Sequence, residues 1–465
     1  MTNAARRSFL LRAGGAGLGM AFSGSLTSVL TSASPAGAVG AGSFPPGFGA
    51  LHPDRDGLLD LPRGFHYRAF SRQDVDQLDN GDPVPAAHDG MAAFPGARGR
   101  TVLVRNHEID FDDVEEDGLA PVPHVAGSDY DPNGTGGTTT LVVGPGRRLE
   151  SHRVSLSGTV NNCAGGPAPW GTWLTCEETD EVRDGVPHGY VFEVDPDAGG
   201  DPRPIEALGR FEHEAVSFDP GSGEAYLTED ADGPFGLFYR FRPAQPLGGR
   251  GSLHAGGVLA AMVVPDLAGT DLSAVGQAGT VLTDITWTDI AQPDVPEGEA
   301  IRRLVDATPI PKCEGTWERD GCVWFVSSRG DGPDAEEEED RSAGVHGGQI
   351  WCYDPAAATL RLVVQFEPSS PFEGPDNITV SPHGFAVMCT DGEDDQQFVA
   401  GVTPDGETFP IAFNQLSNEE FAGACFSPDG QVLYVNIQDP GHTFAIWGPW
   451  SLGRSGVLGG RLRSS

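Results

Sequence analysis

A cysteine and two adjacent carboxylates, Cys163, Glu177 and Glu178, bracket one short segment, NCAGGPAPWGTWLTCEE at 162–178. Gly165-Gly166-Pro167 predicts a turn and the apolar run from Trp170 to Leu174 a strand. The segment therefore reads as an antiparallel pair, which returns its last residues to the level of its first. A thiolate and two carboxylates on one rim are suitable metal ligands. Similar sets recur along the chain: Asn106-His107-Glu108, Glu214 with Glu229 and Asp230, Glu314, and Asp376-Asn377. Brought to one place, these acids repel strongly unless cations sit among them. Oxygen-rich ligation suits calcium or another hard ion, whereas one thiolate asks for a transition metal. Lys312, the sole lysine of the chain, stands two residues before Glu314. It is placed either to hold an anionic substrate or simply to balance Glu314. His107 and His213 are ligand candidates whose alternative is a hydrogen-bonded histidine at a strand end.

The elements that must position these residues form a repeat. Each copy has a polar or acidic opening, a strand, a turn, a second strand and a polar or acidic exit. Openings and exits fall at 89 and 106, 163 and 177, 214 and 229, 314 and 328, 377 and 391, and 423 and 436. Turns at Asp219-Pro220-Gly221, Asp320-Gly321, Pro382-His383-Gly384 and Pro428-Asp429-Gly430 separate the strands. Third strands follow several copies and end alike, at Asp195-Pro196, Arg242-Pro243 and Asp354-Pro355. Six radial copies of a small antiparallel sheet predict an all-β chain, a six-bladed β-propeller with loop insertions. The innermost strands of such a fold line a central channel, and all the openings and exits fall at one end of it. The sixth copy lacks a clear fourth strand, which the isolated strand at Phe65–Phe70 could supply. The long gap from 214 to 314 holds an insertion with strands near 255–266 and 279–285 and a short helix near 299–305. Trp170, Trp173 and Trp317 read as packing between blades.

Composition agrees with this reading. Gly 65 and Pro 38 in 465 residues favour short strands and tight turns over helices. A formal net charge of −38 argues against nucleic acid as a partner. Residues 1–38 read as a twin-arginine signal peptide, with Arg6-Arg7 before a weakly apolar segment and Ala36-Gly37-Ala38 as the cleavage site. Residues 39–64 read as a mobile lead-in, 65–450 as one propeller domain and 451–465 as a tail. The twin-arginine export machinery is thus an expected partner, and a periplasmic or extracellular monomer the expected form. Seven cysteines, an odd number, leave at least one thiol free or bound to something in an oxidising compartment. The run Asp334 to Asp340 reads as a solvated loop.

On these residues the chain resembles the PhoX-type alkaline phosphatases. The resemblance is carried by the twin-arginine leader, the NCAGG…PWGTWLTCEE stretch, EHE at 212–214, Lys312-Cys313-Glu314 and PDN at 375–377. It implies a six-bladed propeller with two ferric ions and calcium ions at its mouth, hydrolysing small phosphate monoesters. By resemblance Cys163, Glu214 and Glu314 would hold iron, Glu177, Glu178 and Asp376 would help hold calcium, and Asn106 and Lys312 would contact phosphate. Lys312 departs from the arginine that the phosphatases carry there, keeping the charge and losing the bidentate fork. Two other readings stay open at this point. One is a calcium-dependent propeller hydrolase of another class, a lactonase or a phosphotriesterase or diesterase. The other is a non-catalytic exported propeller that binds a partner.

Overall fold

The computed structural model describes residues 47–231, 235–267, 269–329, 346–392 and 396–453. The expected signal peptide, the acidic run at 334–340 and nearly all of the expected tail lie outside the described residues.

Six antiparallel sheets of four or more strands follow one another along the chain. Blade 1 consists of His88–Gly96, Arg100–His107, Gly136–Val143 and Leu149–Thr159. Blade 2 begins with Asn162–Pro167 and Trp173–Glu177, and blade 3 with His213–Phe218 and Ala225–Glu229. Blade 4 begins with Cys313–Arg319 and Cys322–Ser327, blade 5 with Pro375–Val380 and Ala386–Thr390, and blade 6 with Phe421–Phe426 and Val432–Ile437. The first strand of each blade packs against the first strands of both neighbours, closing a ring around the axis. This is the six-bladed propeller that the repeat predicts.

Alternation along each strand sends side chains to both faces, so every blade interface has its own apolar core. Leu174 and Val191 of blade 2 meet Val216 and Leu227 of blade 3. Phe238 of blade 3 stacks on Phe325 of blade 4, with ring centroids 4.4 Å apart. Ala92 and Val104 of blade 1 pack with Trp173 and Phe192 of blade 2. The same arrangement recurs between blades 4 and 5, 5 and 6, and 6 and 1. Cys322 and Cys352 form a disulfide between two strands of blade 4, and the other five cysteines are free and buried.

The ring closes through the isolated strand. His66–Phe70 pairs with His442–Trp447 as the fourth strand of blade 6, with His66 opposite Trp447 and Phe70 opposite Thr443. The described part of the lead-in, from residue 47 onward, is more ordered than its sequence implied. Leu59–Pro62 pairs with blade 5 at Leu59↔Asn414, and Leu51–His52 adds outside it. Leu59 and Leu61 are buried there, and a paired edge with buried leucines holds the segment in place. Part of the expected insertion also belongs to the blades. Gly257–Val263 and Thr286–Asp289 extend blade 3, Val281–Leu282 extends blade 4, and the helix Glu299–Leu304 follows.

One irregularity is repeated in all six innermost strands. Each pairs normally at its first residues and then slips by one, between His88 and Met91, Asn162 and Gly165, and His213 and Val216. The equivalent slips fall between Cys313 and Thr316, Pro375 and Ile378, and Ala422 and Cys425. A bulge of this kind re-aims the extra residue out of the pleat. The residues so released are Asp89, Cys163, Glu214, Glu314, Asp376 and, in blade 6, Gly423.

Candidate metal centre

Five of the six bulge residues line one cavity at one end of the axis. Continuations of the second strands join them from the exit side: Glu108, Glu178, Asp230, Ser328 and Asp391. Glu373 and Glu420, just ahead of the inner strands of blades 5 and 6, complete the acidic wall. The residues that follow the bulges are Gly90, Ala164, Ala215, Gly315, Asn377 and Ala424, and they line a separate, smaller cavity. Small side chains are required at that level. A Cβ on Gly90 would lie 2.5 Å from the Cα of Ala164, so the inner strands of blades 1 and 2 are in backbone contact there.

Within the mouth, ligand atoms converge in three overlapping groups, each with its atoms within 4.8 Å of one another: Asp89, Glu108 and Cys163; Cys163, Glu178 and Glu214; Glu214, Glu314 and Asp376. The Cys163 thiol donates to Glu214 Oε2 at 2.8 Å. Gln438 Nε2 bridges Asp89 Oδ2 at 2.9 Å and Glu108 Oε2 at 2.5 Å. Ser328 Oγ donates to Glu314 Oε1 at 2.8 Å. Lys312 Nζ donates to Asp230 Oδ2 and lies 3.8 Å from Glu314 Oε1.

The protein's own cations do not balance this gathering. Burial, and then the charges of Asp376 and Glu314, push the Glu214 carboxyl well above its ordinary range. Burial and the charges of Glu108 and Asp376 do the same to Asp89. Burial and the Asp230 charge raise Glu314 against the pull of Lys312, and burial and the Glu214 charge raise Glu178. Asp376 is pushed up to about 7 by burial and by Asp391. Burial, with Asp89 and Glu214, raises the Cys163 thiol. Glu214 Oε1 and Asp230 Oδ1 are buried without a hydrogen-bond partner among the described residues. Buried acceptors aimed into a shared cavity, beside one thiol, form a donor set that fits metal cations.

The structure therefore brings together Cys163, Glu178, Glu214, Glu314 and Asp376, with Lys312 among them. It turns Glu177, Glu229, Asn106, His107 and His213 elsewhere. Glu177 pairs across the ladder with Asn162. Its Oε1 accepts from Val160 N at 2.9 Å and lies 2.7 Å from His188 Nδ1. Its Oε2 accepts from Gly189 N and Tyr190 N at 2.9 and 3.1 Å. Alternation sends Glu178 to the mouth and Glu177 into the blade, where it clasps the turn to the next strand. Glu229 does the same in blade 3, accepting from Leu237 N and from Arg302. Asn106 lies one pleat below Glu108. Its Nδ2 donates to the carbonyls of Cys163 and Ala164 at 2.9 and 2.7 Å, and its Oδ1 accepts from Trp173 Nε1 at 2.9 Å. With its amide used in this way, Asn106 ties blade 1 to blade 2 and is not among the residues that line the mouth. His107 and His213 likewise bond to the backbone oxygens of Ala86 and Gly209.

These placements give a direct test. Glu177→Ala strands His188 and three buried amides, so thermal unfolding is expected to show a loss of about 2–5 kcal/mol. Metal content of the folded variant should stay at the wild-type value, because the removed carboxylate faces away from the mouth.

Sequence reasoning passed over Asp89, Asp391, Glu373, Glu420 and Arg329 as site residues. Asp89 and Asp391 occupy repeat positions equivalent to Cys163 and Glu178, so aligning the copies on the bulge would have found them. Glu373 and Glu420 lie in connections outside the repeat, where no periodic signal marks them.

The sequence profile of the family described as alkaline phosphatase PhoX matches residues 46–441. Among solved structures the chain is similar to Pseudomonas fluorescens PhoX in complex with vanadate, a transition state analogue. The identity is 18%, over 90% of this chain and 98% of that one, with a TM-score of 0.65. It also matches a gluconolactonase from Xanthomonas campestris at 13% identity, over 90% of this chain and 99% of that one, with a TM-score of 0.39. A pyranose dehydrogenase PQQ domain from Coprinopsis cinerea matches at 11% identity, over 85% and 98% of the two chains, with a TM-score of 0.41. No curated protein matches the chain.

Proposed function

Because the chain belongs to the alkaline phosphatase PhoX family, we propose that it is a metal-dependent hydrolase of phosphate monoesters acting at the propeller mouth. The observation that carries this reading is the bulge. One structural device, repeated around the axis, delivers Asp89, Cys163, Glu214, Glu314 and Asp376 to a single buried cavity. The two groups that contain Cys163 suit a transition ion, in keeping with the ferric iron that the family resemblance implies. The all-oxygen group of Glu214, Glu314 and Asp376 suits a hard ion such as calcium. Bound there, the ions supply positive charge that attracts a phosphate dianion and offsets the charge spreading onto its oxygens during transfer.

The chain's own residues do the rest. Ser328 and Lys312 both approach Oε1 of Glu314 and hold its carboxylate in place. Gln438 locks the spacing of Asp89 and Glu108. Buried carboxylate oxygens without a hydrogen-bond partner among the described residues, Glu214 Oε1 and Asp230 Oδ1, belong to side chains already held on their other oxygen, a preorganised shell that needs little rearrangement when ions bind. The twin-arginine leader fits this chemistry, since export in the folded state lets a metal-loaded protein cross as a monomer into the periplasm or the extracellular space.

The test is phosphate release from p-nitrophenyl phosphate, with metal content measured in parallel. Wild-type protein is expected to turn over, to lose activity on chelation and to regain it with added ions. Cys163→Ala and Glu314→Ala should lose both activity and bound metal. Full activity in both variants would remove the proposal.

A further inference from the structure

Charge around the mouth is distributed unevenly. Blades 1, 2, 3 and 5 place carboxylates at the exits of their second strands, at Glu108, Glu178, Asp230 and Asp391. Blade 4 breaks the pattern with a hydroxyl, Ser328, followed by a guanidinium, Arg329, and both line the cavity. Lys312 stands at the opening of the same blade, so among the described residues both cations lining the mouth come from one wall. Lys312 Nζ is held between Asp230 and Glu314, which come from different blades, and there it offsets the repulsion between two acids of the cluster. Arg329 follows a braced exit. Ser328 N donates to Lys312 O at 3.0 Å, while Ser327 Oγ lies 2.5 Å from the Pro311 carbonyl and 3.2 Å from that of Arg329. The backbone that carries Arg329 is thereby fastened to the strand opening that carries Lys312 and Glu314.

We propose that Arg329 is the substrate contact that selects a dianionic phosphoryl group, a role that rests on the phosphatase reading above. A planar guanidinium offers paired N–H donors that match two oxygens of a phosphate at once, which an ammonium cannot do. With acids on the other walls, an anion entering the metal-loaded mouth meets, among the described residues, protein cations on the blade 4 side alone. A phosphomonoester presents three terminal oxygens and two charges to that wall. A diester presents two oxygens and one charge, so it gains less from Arg329. Lys312 is then a positioning residue for the cluster.

The experiment compares wild type, Arg329→Met, Arg329→Lys and Lys312→Met, all metal-loaded and with metal content measured. Substrates are p-nitrophenyl phosphate and bis(p-nitrophenyl) phosphate, and inorganic phosphate serves as inhibitor and as ligand in calorimetry. Loss of a charge-assisted contact is worth about tenfold or more. Arg329→Met is therefore expected to raise both KM for the monoester and Ki for phosphate by about tenfold or more. Diester kcat/KM should change less than about threefold, metal content should hold, and Arg329→Lys should fall between. An unchanged monoester-to-diester ratio and phosphate Ki in Arg329→Met would overturn the assignment. So would the whole phosphate effect appearing in Lys312→Met instead. If wild type binds phosphate calorimetrically yet cleaves neither ester, the phosphatase reading fails alone, and the binding arm still decides the role of Arg329. If wild type neither binds phosphate nor cleaves the esters, both fall.

Discussion

Glu214→Gln is expected to cost the protein at least one bound metal ion and to lower phosphomonoesterase activity about a thousandfold or more, the scale of losing a preorganised charge-stabilising element. Glu214 is the hinge of the cluster because it belongs to two of the three ligand groups, one with Cys163 and Glu178, the other with Glu314 and Asp376. Its Oε2 accepts from the Cys163 thiol, and its Oε1 is buried with no hydrogen-bond partner among the described residues. Glutamine keeps the volume and the acceptor toward Cys163, and removes the charge that bound ions require. The variant should also separate a ligand from a structural residue. With metal present, thermal unfolding should fall below wild type, because the stabilisation from bound ligand is reduced. With metal stripped, Glu214→Gln should match or exceed wild type, because one of several mutually repelling acids is gone. Elemental analysis, p-nitrophenyl phosphate turnover and melting with and without chelator check the three parts. A variant with full metal content would refute the assignment of Glu214, and one destabilised equally in both states would make it a packing residue.

The architecture was legible because propeller blades advertise themselves. Turn dipeptides recur at matched intervals, third strands share a Pro ending, and the isolated strand at Phe65–Phe70 had one vacant edge to fill. Gathering the acids at one mouth followed from that ring. What the sequence concealed was parity. A bulge adds one residue to the inner strand without any composition of its own, so the pairing of opening with exit shifts by one. Glu177 and Glu178 are chemically interchangeable on paper, and alternation guarantees that only one reaches the cavity. Only the register Asn162↔Glu177 tells which. Asn106 was misplaced for a related reason, since it sits a pleat deeper than Glu108, where the blade 2 backbone and not the cavity faces it. Glu373 and Glu420 show another limit. They reach the mouth from connections that differ between blades, and an argument from repetition has no purchase on residues that do not repeat.

The same crowding predicts an unusual pH response once metal is removed. Asp89, Glu178, Glu214, Glu314 and Glu420 are all raised well above ordinary carboxyl values, and Asp376 to about 7. A carboxyl raised in the folded state keeps its proton at pH values where the unfolded chain has lost it. The unfolded state then binds fewer protons, so stability falls as pH rises through the folded value. Buried histidines act in the opposite sense on the acid side. His213 is lowered to about 3 and His346 to about 4 by burial, and His88 and His107 well below their ordinary value. Below about pH 6.5 the unfolded chain takes up protons that these rings refuse, so stability falls as pH drops. Above that point the histidines are neutral in both states and the mouth acids act alone. Metal-stripped protein should therefore lose stability as pH rises from about 6.5 toward 9, by about 1.4 kcal/mol per pH unit for each acid still titrating. Metal-loaded protein should resist that fall, because ions bind the ionised ligands and their apparent affinity climbs as protons leave. Denaturant melts of stripped and loaded protein at pH 6.5, 8 and 9 measure both arms. Glu214→Gln should flatten the alkaline decline of the stripped form. Stripped wild type that is as stable at pH 9 as at 6.5 would mean that the acids do not feel one another, and the case for a shared metal centre would fail with it.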